Sequence, residues 1–368
     1  MYMDMEAPAP PTVDPPPGED AYFATLIAGL EEIAADELRE RIPDATVLGA
    51  VRGRLFFSRS DPAREALNLL TIEHLHAYVD QFHGISSQRA GLECIEERMA
   101  EIDLDGAVRL HACLHPSPRR PSFRITAKRA GEHEYNSVEI SAAAGAGVVQ
   151  RYSWDVDLEE YDYDVRVYVK NDTALVGLRL SPEALSRRAR ILHTAASLNP
   201  TVAHAMCRIS EPQESEVVLD PMCGAGTILI ERNRLAGPGI LLGGDLHANP
   251  VEIARKNLAA AELTCALVQW DARRLPLVRR SVDAVICNLP WGRRIGSHRA
   301  NRHLYPAFVR ELSRVLRPGG RAVLLTQEKR LLTRLVRGSD ALTMMRQLSL
   351  SLSGMHPTIY VVTREGNS

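Results

Sequence analysis

The stretch Asn288-Leu289-Pro290-Trp291 follows a short apolar run that starts at Asp283 and predicts a buried strand. The side-chain oxygen of Asn288 is an uncharged hydrogen-bond acceptor, and a backbone carbonyl beside it, on a turn stiffened by Pro290, supplies a second. Two such acceptors can bind both N–H groups of an exocyclic amine on a nucleobase and aim the nitrogen lone pair at a methyl donor. Trp291 offers a face on which an extruded base can stack. Because the proton can leave after methyl transfer, this chemistry needs no strong general base.

A second stretch, residues 217–230, reads as a β-branched strand, a glycine turn and the start of a helix. Gly224 and Gly226 let backbone amides approach a ligand closely, as in the first βα turn of a doubly wound sheet. No Gly-Lys-Ser/Thr follows, which excludes a P-loop. Asp245, roughly 20 residues on, can hold ribose hydroxyls of a dinucleotide or of S-adenosylmethionine, so it does not separate the two cofactors. Asp271 follows a third strand, where a carboxylate can meet an adenine amino group.

Regular alternation of strands and helices from residue 216 onward must position these side chains. Asn249 and Pro250 predict the N-cap and first position of the second helix. The pattern predicts parallel strands with helices on both faces, closed by an antiparallel hairpin. The predicted strands are 217–219, 240–244, 265–270, 283–288, 321–327, 343–352 and 358–363, and the helices are 227–235, 250–261, 304–316 and 329–337. A further helix is predicted over 201–209, after Pro200.

The first half of the chain predicts two small α+β units. The first combines strands at 22–27 and 53–57 with helices at 30–41 and within 62–82. A helix at 92–102 leads into the second unit, which has an alternating stretch at 109–114, a strand at 123–128, a helix opened by Ser137, and a hairpin of 165–169 and 173–180. Basic side chains surround the 123–128 strand and form either a solvated face or a phosphate-contacting surface. They are Arg119, Arg120, Arg124, Lys128 and Arg129.

Composition narrows the class of protein. The 368 residues allow two or three domains, and no apolar run approaches the roughly 20 residues of a membrane span. Six prolines in the first 18 residues predict a disordered tail rather than a signal peptide. Six scattered cysteines without a Cys-x-x-Cys pair indicate free thiols in a reducing cytoplasm and no zinc site. The net charge of −2 divides into −13 for residues 1–105 (8 arginines against 21 acidic residues) and +11 for the rest.

The second unit resembles a THUMP domain, an RNA-binding module of tRNA- and rRNA-modifying enzymes. The resemblance lies in Phe123-Arg124-Ile125-Thr126-Ala127-Lys128-Arg129-Ala130-Gly131, in the helix from Val138, and in residues 176–181. The stretch from Tyr22 to Glu32 is similar to the ferredoxin-like unit that precedes THUMP in the same enzymes. The resemblance implies that the second unit binds RNA, whereas the acidic excess of the first unit argues against its binding nucleic acid by itself and favours a packing or spacer role.

The last domain resembles the RNA guanine-N2 methyltransferases that carry THUMP, and within them the tRNA branch. Residues 220–227 match the methionine-binding turn of that family, and 288–292 match its catalytic Asn/Asp-x-Pro-aromatic-Gly motif. Leu289 departs from the commoner Asn-Pro-Pro-Tyr form and favours the tRNA enzymes over the rRNA enzymes. The segment 198–201 resembles the part of these enzymes that folds over the bound cofactor. The product implied is N2-methylguanosine in the tRNA acceptor stem, at position 6.

The resemblance and the residues together give a full set of expectations. The fold class is α/β, a Rossmann-like class I methyltransferase sheet (184–368) preceded by a ferredoxin-like unit (21–100), a THUMP domain (101–183) and a tail (1–20). Asn288, Pro290 and Trp291 are the expected catalytic residues. The expected cofactor contacts are Leu198, Asn199, Pro200, Thr201, Asp220, Cys223, Gly224, Ala225, Gly226, Thr227, Asp245, Leu246, Asp271, Ala272 and Asn288. The expected RNA contacts are Arg119, Arg120, Arg124, Lys128, Arg129, Arg293 and Arg294, with Arg299 and Arg302 beside them.

The expected cofactor is S-adenosylmethionine, the partner is tRNA, and we expect a cytoplasmic monomer with neither metal nor membrane contact. Three alternatives stay open at this point. A methyltransferase for rRNA guanine or for adenine shares the acceptor chemistry. A nicotinamide-dependent oxidoreductase shares the glycine turn and Asp245 but leaves Asn288 to Trp291 without a role. The third alternative is an RNA-binding protein of the same fold that has no catalytic activity.

Overall fold

The computed structural model of the protein describes residues 16, 18–116, 120–188, 197–235, 237, 239–292, 297–352 and 354–366. Most of the predicted tail, 1–20, lies outside these ranges. The chain divides into two compact units, Met1–Leu26 with Ala35–Leu185, and Ile27–Ala34 with Ser186–Ser368. Among the described residues, no helix combines the length and the apolar character needed to cross a membrane.

An eight-stranded sheet in the order β2-β3-β1-β4-β8-β7-β5-β6 organises the first unit. Strands from both sides of the predicted boundary at residue 100 belong to it, because β4 pairs antiparallel with β8. The strands are β1 (Asp20–Thr25), β2 (Thr46–Val51), β3 (Arg54–Arg59), β4 (His74–Phe82), β5 (Ser122–Ala130), β6 (Asp155–Val156), β7 (Tyr163–Lys170) and β8 (Thr173–Arg179). The helices of this half of the chain are α1 (Glu31–Arg41), α2 (Ala90–Glu101), α3 (Asp105–Leu114) and α4 (Ser137–Tyr152), with a 3-10 helix at Arg64–Asn68.

The structure corrects several predictions for this half. The predicted helix within 62–82 is a 3-10 turn followed by β4, a central strand whose pairing with β1 and β8 overrides the leucine spacing. The alternating stretch 109–114 belongs to α3, which buries residues at helical spacing, Ala107, Leu110 and His111. The strand β2 was not predicted. The helix α4 starts at Ser137 as expected, but its capping residue is Asn136, which forms a capping box with Glu139.

A seven-stranded sheet in the order β11-β10-β9-β12-β13-β15-β14 forms the second unit. Five strands run parallel and β15 pairs antiparallel with both β13 and β14, as the predicted terminal hairpin requires. Its strands are β9 (Val217–Asp220), β10 (Ile240–Asp245), β11 (Ala266–Gln269), β12 (Val282–Asn288), β13 (Leu316–Thr326), β14 (Leu342–Ser349) and β15 (Thr358–Arg364). Its helices are α5 (Pro200–Ile209), α6 (Thr227–Asn233), α7 (Ala248–Ala260), α8 (His298–Val315) and α9 (Lys329–Arg337).

Two helix starts differ from the prediction. The helix α7 starts at Ala248 with His247 as its cap, so Asn249 and Pro250 lie inside its first turn. Proline is tolerated there because the first four N–H groups of a helix have no intrahelical partner. The helix α8 starts at His298, six residues before the predicted start, and the Ser297 side chain caps it by accepting from the Ala300 amide at 3.1 Å.

Candidate active site

The predicted acids and Asn288 lie at one edge of the parallel sheet. Asp220, Asp245 and Asn288 are the last residues of β9, β10 and β12, and Asp271 follows β11 by two residues. The strand β9 lies between β10 and β12, so the chain reverses its direction of winding between β9 and β12. Ligands of doubly wound sheets bind in the crevice outside the carboxyl ends of the strands at this switch point. Asp220 and Asn288 therefore border that crevice on adjacent strands.

The glycine turn adopts the backbone that its sequence predicts. Gly224 and Gly226 have φ angles of 51° and 79°, in the left-handed region that other residues rarely enter. The Gly224 amide donates to Asp245 Oδ2 at 3.2 Å, and the Cys223 amide donates to the Gly244 carbonyl at 2.9 Å. The turn is thus fixed against the end of β10.

Two side chains outside the predicted set hold this turn from behind. Asn257 of α7 is buried and donates to the Ala225 carbonyl at 2.9 Å, and the Trp270 indole donates to the Pro221 carbonyl at 3.0 Å. Trp270 lies in the hydrophobic core. The signal for Asn257 in the sequence is only a polar residue on the apolar side of a helix, flanked in the structure by buried Ala254 and Leu258.

Asp220 is a buried carboxyl group, 2% exposed, beside the crevice. Burial, together with the nearby carboxylate of Asp245, raises the pKa of Asp220 to about 8, although the Met222 amide, which donates to Oδ1 at 3.2 Å, opposes the increase. A carboxyl group held neutral near pH 7 becomes an anion when a cation is brought against it. Asp220 is therefore suited to bind a positively charged group of a ligand.

The Asn288 amide has a fixed orientation. The Trp291 Nε1–H donates to Asn288 Oδ1 at 3.1 Å, and an indole nitrogen can only donate, so the oxygen of the amide faces the indole. Each amide oxygen has two lone pairs, which leaves one for a substrate N–H. Trp291, predicted to stack a base, thus also orients the acceptor.

The Pro290 carbonyl, one of the candidate second acceptors, is already bonded. Asn301 Nδ2 and Tyr305 Oη, both on α8, donate to it at 2.8 Å each. Glu328 Oε1 accepts from Asn301 Nδ2 at 3.2 Å, and Thr326 Oγ1 lies 2.7 Å from Tyr305 Oη. The Pro290 carbonyl is therefore an anchor for the turn.

The neighbouring Leu289 carbonyl accepts no hydrogen bond from a described residue, while the Leu289 amide donates to the Leu325 carbonyl at 2.9 Å. Beside Asn288, the Leu289 carbonyl is thus a backbone acceptor that no described donor occupies. Sequence reasoning missed Asn301 and Tyr305, since nothing in the spacing of α8 shows which polar groups point toward the turn.

One pocket gathers about half of the predicted cofactor contacts. Its lining contains Leu198, Asp220, Cys223, Gly224, Ala225, Thr227 and Asn288 from the predicted set, together with Ser197, Met222 and Ile228, which were not predicted. No described group of three or more His, Cys, Asp or Glu side chains has the arrangement of a metal site.

Other predicted contacts lie outside this lining. Asn199 Oδ1 accepts from the Thr201 amide at 2.7 Å and caps α5, with Pro200 at the first helical position. Gly226 is the N-cap of α6, and Asp245 accepts from the Gly224 amide of the turn. Thr201 is fully buried, and its hydroxyl has no hydrogen-bond partner among the described residues.

The adenine side of the predicted site is open. Leu246 is 51% exposed, whereas Ala272 is buried. The guanidinium of Arg273 binds Asp271 through both carboxylate oxygens, at 2.6 to 3.0 Å, and lowers the pKa of Asp271. A ligand amine at Asp271 has to share this carboxylate with Arg273.

The predicted basic surface on β5 is more committed than its sequence indicated. Asp164 of β7, nearly fully buried, binds Arg124 at 2.9 Å, Arg166 at 2.7 Å and Arg179 at 3.3 Å. Arg124 also lies 3.9 Å above the ring of Tyr161. The cluster keeps an excess of positive charge, but Arg124 is an ion-pair partner and not a free cation.

The remaining predicted RNA contacts differ in accessibility. Arg120, Lys128 and Arg129 are exposed, and Arg129 donates to the Gly131 carbonyl at 2.9 Å. Arg119, Arg293 and Arg294 lie outside the described residues.

Comparison with known proteins decides the family. Family models match a THUMP domain at residues 104–179 and an RMKL-like methyltransferase domain at residues 187–358. A Thermus thermophilus protein named tRNA (guanine(6)-N2)-methyltransferase is 32% identical over 93% of this chain and 98% of its own length. The chain belongs to the family of THUMP-containing tRNA (guanine-N2)-methyltransferases.

Other relatives agree with this family. The mouse tRNA (guanine(6)-N(2))-methyltransferase THUMP3 is 34% identical over 67% of this chain. The chain spans about half the length of such animal relatives, 52% of the mouse protein. Among solved structures, TrmN from Thermus thermophilus matches with a TM-score of 0.76 and 29% identity, covering 94% of this chain and 99% of that one. The predicted family and fold class are confirmed.

Proposed function

We propose that this methyltransferase transfers a methyl group from S-adenosylmethionine to the exocyclic N2 of guanine 6 in tRNA. The observation that carries the proposal is the pairing of Asn288 with the glycine turn. Asn288, at the end of β12, lines the same pocket as Asp220, Gly224 and Ala225, at the end of the adjacent strand β9. The names of the bacterial and archaeal relatives, which give guanine 6 of tRNA, support the choice of substrate.

The residues of the crevice fit S-adenosylmethionine. The buried carboxyl of Asp220 suits the ammonium group of an amino-acid moiety, and Gly224 lines the pocket without a side chain. Asp245, at the end of β10, accepts one backbone amide on each carboxylate oxygen, from Gly224 and His247, and the remaining lone pairs can accept from ribose hydroxyls. When bound, the cofactor supplies an electrophilic methyl carbon on a sulfonium.

The chain positions the amine rather than deprotonating it. The second lone pair of Asn288 Oδ1 and the Leu289 carbonyl take one N–H each of the guanine amino group, which directs the nitrogen lone pair away from the ring plane. The indole of Trp291 keeps the amide oriented, and the two donors on the Pro290 carbonyl keep the backbone in place. Preorganised acceptors of this kind cost no rearrangement at the moment of reaction. The proton leaves to solvent once the nitrogen is cationic.

Mass spectrometry of nucleosides tests the proposal. Unmodified tRNA incubated with the protein and labelled methyl donor should yield N2-methylguanosine, and a tRNA with adenine at position 6 should yield none. We expect Asn288→Ala to abolish methyl transfer while tRNA still binds, whereas the same change at exposed Asn249 on α7 should leave turnover intact. N6-methyladenosine as the product, or full turnover by Asn288→Ala, contradicts the proposal.

Calorimetry distinguishes the proposed methyltransferase from a nicotinamide-dependent oxidoreductase. S-adenosylhomocysteine should bind and NAD should not, because only the first has an ammonium group for Asp220. Binding of NAD alone would remove the methyltransferase proposal and leave Asn288 to Trp291 without a role.

We propose a cytoplasmic location from the state of the cysteines. All six cysteines, each at a described position, are free thiols, which is typical of a reducing compartment such as the cytoplasm. We also propose a monomer and the domain boundaries given above. Light scattering on the purified protein tests the first, and limited proteolysis tests the second.

A further inference from the structure

The two helices that follow the catalytic turn carry an unusual excess of positive charge. Residues 297–337, which comprise the two helices and the strand β13 between them, contain ten Arg and Lys against two acidic residues, a net charge of +8 in a chain whose total is −2. Both acids are engaged within the fold: Glu311 binds Arg314 at 2.7 Å, and Glu328 binds His298 at 2.7 Å. Neither acid is therefore available to neutralise the surrounding surface.

Three of the ten cations have internal partners. Arg314 pairs with Glu311, Arg317 with Asp283 at 2.6 Å, and Arg321 with Glu216 at 2.6 Å. Six others are exposed arginines that form no ion pair with a described residue. They are Arg299, Arg302 and Arg310 on α8 and Arg330, Arg334 and Arg337 on α9, here called the α8/α9 basic face.

The fold places these six arginines on one side of the sheet. Tyr305 and Phe308 of α8 and Leu331 and Leu332 of α9 pack into the same hydrophobic core cluster, and the two helices contact each other. Their exposed sides are consequently adjacent. The distance along α8 from Arg299 to Arg310 is about 16 Å, several phosphate spacings of a nucleic-acid strand.

The basic face starts at the catalytic turn. The helix α8 begins at His298, and a Cβ on Gly292 would lie 2.8 Å from the His298 amide nitrogen, so the end of the turn lies against the start of the helix. The anchor residues of the Pro290 carbonyl, Asn301 and Tyr305, lie on the inner side of the same helix. A strand that delivers a base to Asn288 therefore passes close to this helix.

We propose that the α8/α9 basic face holds the phosphates of the tRNA helix beside the nucleotide that reacts. This inference rests on the proposed function and extends it by naming the surface that holds the substrate. Arginine forks match phosphate oxygens in pairs. A bias of the genome toward arginine does not explain why acids are missing, and an ordinary solvated surface mixes both signs.

The test is the salt dependence of tRNA binding in a charge-reversed variant. Arg334→Glu with Arg337→Glu changes α9, far along the chain from Asn288 and with both side chains exposed. The control makes the same change in charge on α7, at exposed Lys256 and at exposed Arg255, which pairs with Glu252 at 2.7 Å. Fluorescence anisotropy with unmodified tRNA over a series of salt concentrations gives Kd and its slope, and S-adenosylhomocysteine binding and Tm report on folding.

We expect the α9 variant to raise Kd about tenfold and to lower the magnitude of the salt slope by about two, one for each lost phosphate contact. The control should bind tRNA like the unchanged protein, and cofactor affinity should be the same in all three. An unchanged slope in the α9 variant, or an equal loss in the control, overturns the proposal. So does binding to vesicles of anionic lipid that matches tRNA binding in strength and is lost in the same variant.

The outcome is separable from that of the proposed function. If the unchanged protein binds tRNA through this face but methylates no guanine, the surface stands and the activity assignment fails. If it methylates guanine 6 and the α9 variant shows the same Kd, slope and KM for tRNA, the activity stands and the surface is wrong.

Discussion

The most direct consequence of the structure is a proton released when the cofactor binds. Asp220 is buried with a pKa raised to about 8 by its burial and then by Asp245. With that value, about nine-tenths of the Asp220 carboxyls are protonated at pH 7 in the protein without ligand. An ammonium group placed against Asp220 favours the carboxylate, so binding should release about 0.9 proton per molecule at pH 7.

The protonation of Asp220 also determines how the affinity for S-adenosylhomocysteine changes with pH. Well below pH 8 the carboxyl must lose its proton before it can pair with the ligand, so affinity should rise as pH rises, by up to about tenfold per unit. Above pH 8 the carboxylate is already formed and the rise should stop. Between pH 5.5 and 7 the ammonium group of S-adenosylhomocysteine stays charged, so the change in this range belongs to the protein.

Titration calorimetry in buffers with different ionisation enthalpies measures the number of protons. Binding enthalpy plotted against the ionisation enthalpy of the buffer should have a slope near one proton released for the unchanged protein. Asp220→Asn cannot release this proton, and it should bind more weakly with a slope near zero. Binding enthalpies that agree in all buffers, or a proton still released by Asp220→Asn, would refute this account of Asp220.

Three further predictions concern the catalytic turn and the basic strand. Trp291→Phe keeps an aromatic face but removes the donor to Asn288 Oδ1; kcat should fall about tenfold with KM for tRNA nearly unchanged, and a silent variant would leave stacking as the only role. Tyr305→Phe removes one of two donors to the Pro290 carbonyl and should lower unfolding free energy by about 1 kcal/mol, measured by urea denaturation, and kcat by a few-fold. Lys128→Glu should weaken tRNA binding at low salt with Tm unchanged, whereas Arg124→Glu should also lower Tm because it places a carboxylate against Asp164. An unchanged Kd for Lys128→Glu removes β5 from the RNA surface.

Much of the second unit follows from local pattern. Short β-branched runs, each followed by a polar residue and a turn, predict parallel strands whose functional residues share one edge. That pattern places Asp220, Asp245 and Asn288 at the carboxyl ends of parallel strands, and in the structure these strands, β10, β9 and β12, are consecutive in the sheet. The fold class could be predicted because every βα unit repeats the same rule.

Pairing partners distant in the sequence account for what the pattern could not give. The strand β4 forms because it pairs with β1 and β8, two strands that lie more than one hundred residues apart from each other along the chain. The leucine spacing of β4 alone favours a helix. The short strand β2 contains Gly49 and Ala50, which have low intrinsic β-propensity, and is formed by its pairing with β3. In both cases the local pattern of residues does not show which strands become neighbours.

Side-chain partners were the least predictable part of the site. Asn288 could be identified as an acceptor from its position, but which carbonyl accompanies it depends on Asn301 and Tyr305, which reach Pro290 from the next helix. Likewise, Arg124 is a cation in the sequence and an ion-pair partner in the structure, since Asp164 lies opposite it on β7. The residue type shows which hydrogen bonds or ion pairs a side chain can form, and only the fold shows whether internal partners already occupy it.

The difference between ion-paired and unpaired cations also changes which basic residues we expect to contact RNA. The sequence gives a charge of +11 after residue 105, with basic residues on β5 as the first candidates for RNA contacts. In the structure, one carboxylate, Asp164, shares its charge among three arginines near β5, while the six arginines of the α8/α9 basic face have no described acidic partner. Counterion release requires cations that are free to pair with phosphate. Reversing charge on α9 should therefore lower the salt slope more than reversing Arg124, and the opposite order would show that RNA displaces Asp164 from its arginines.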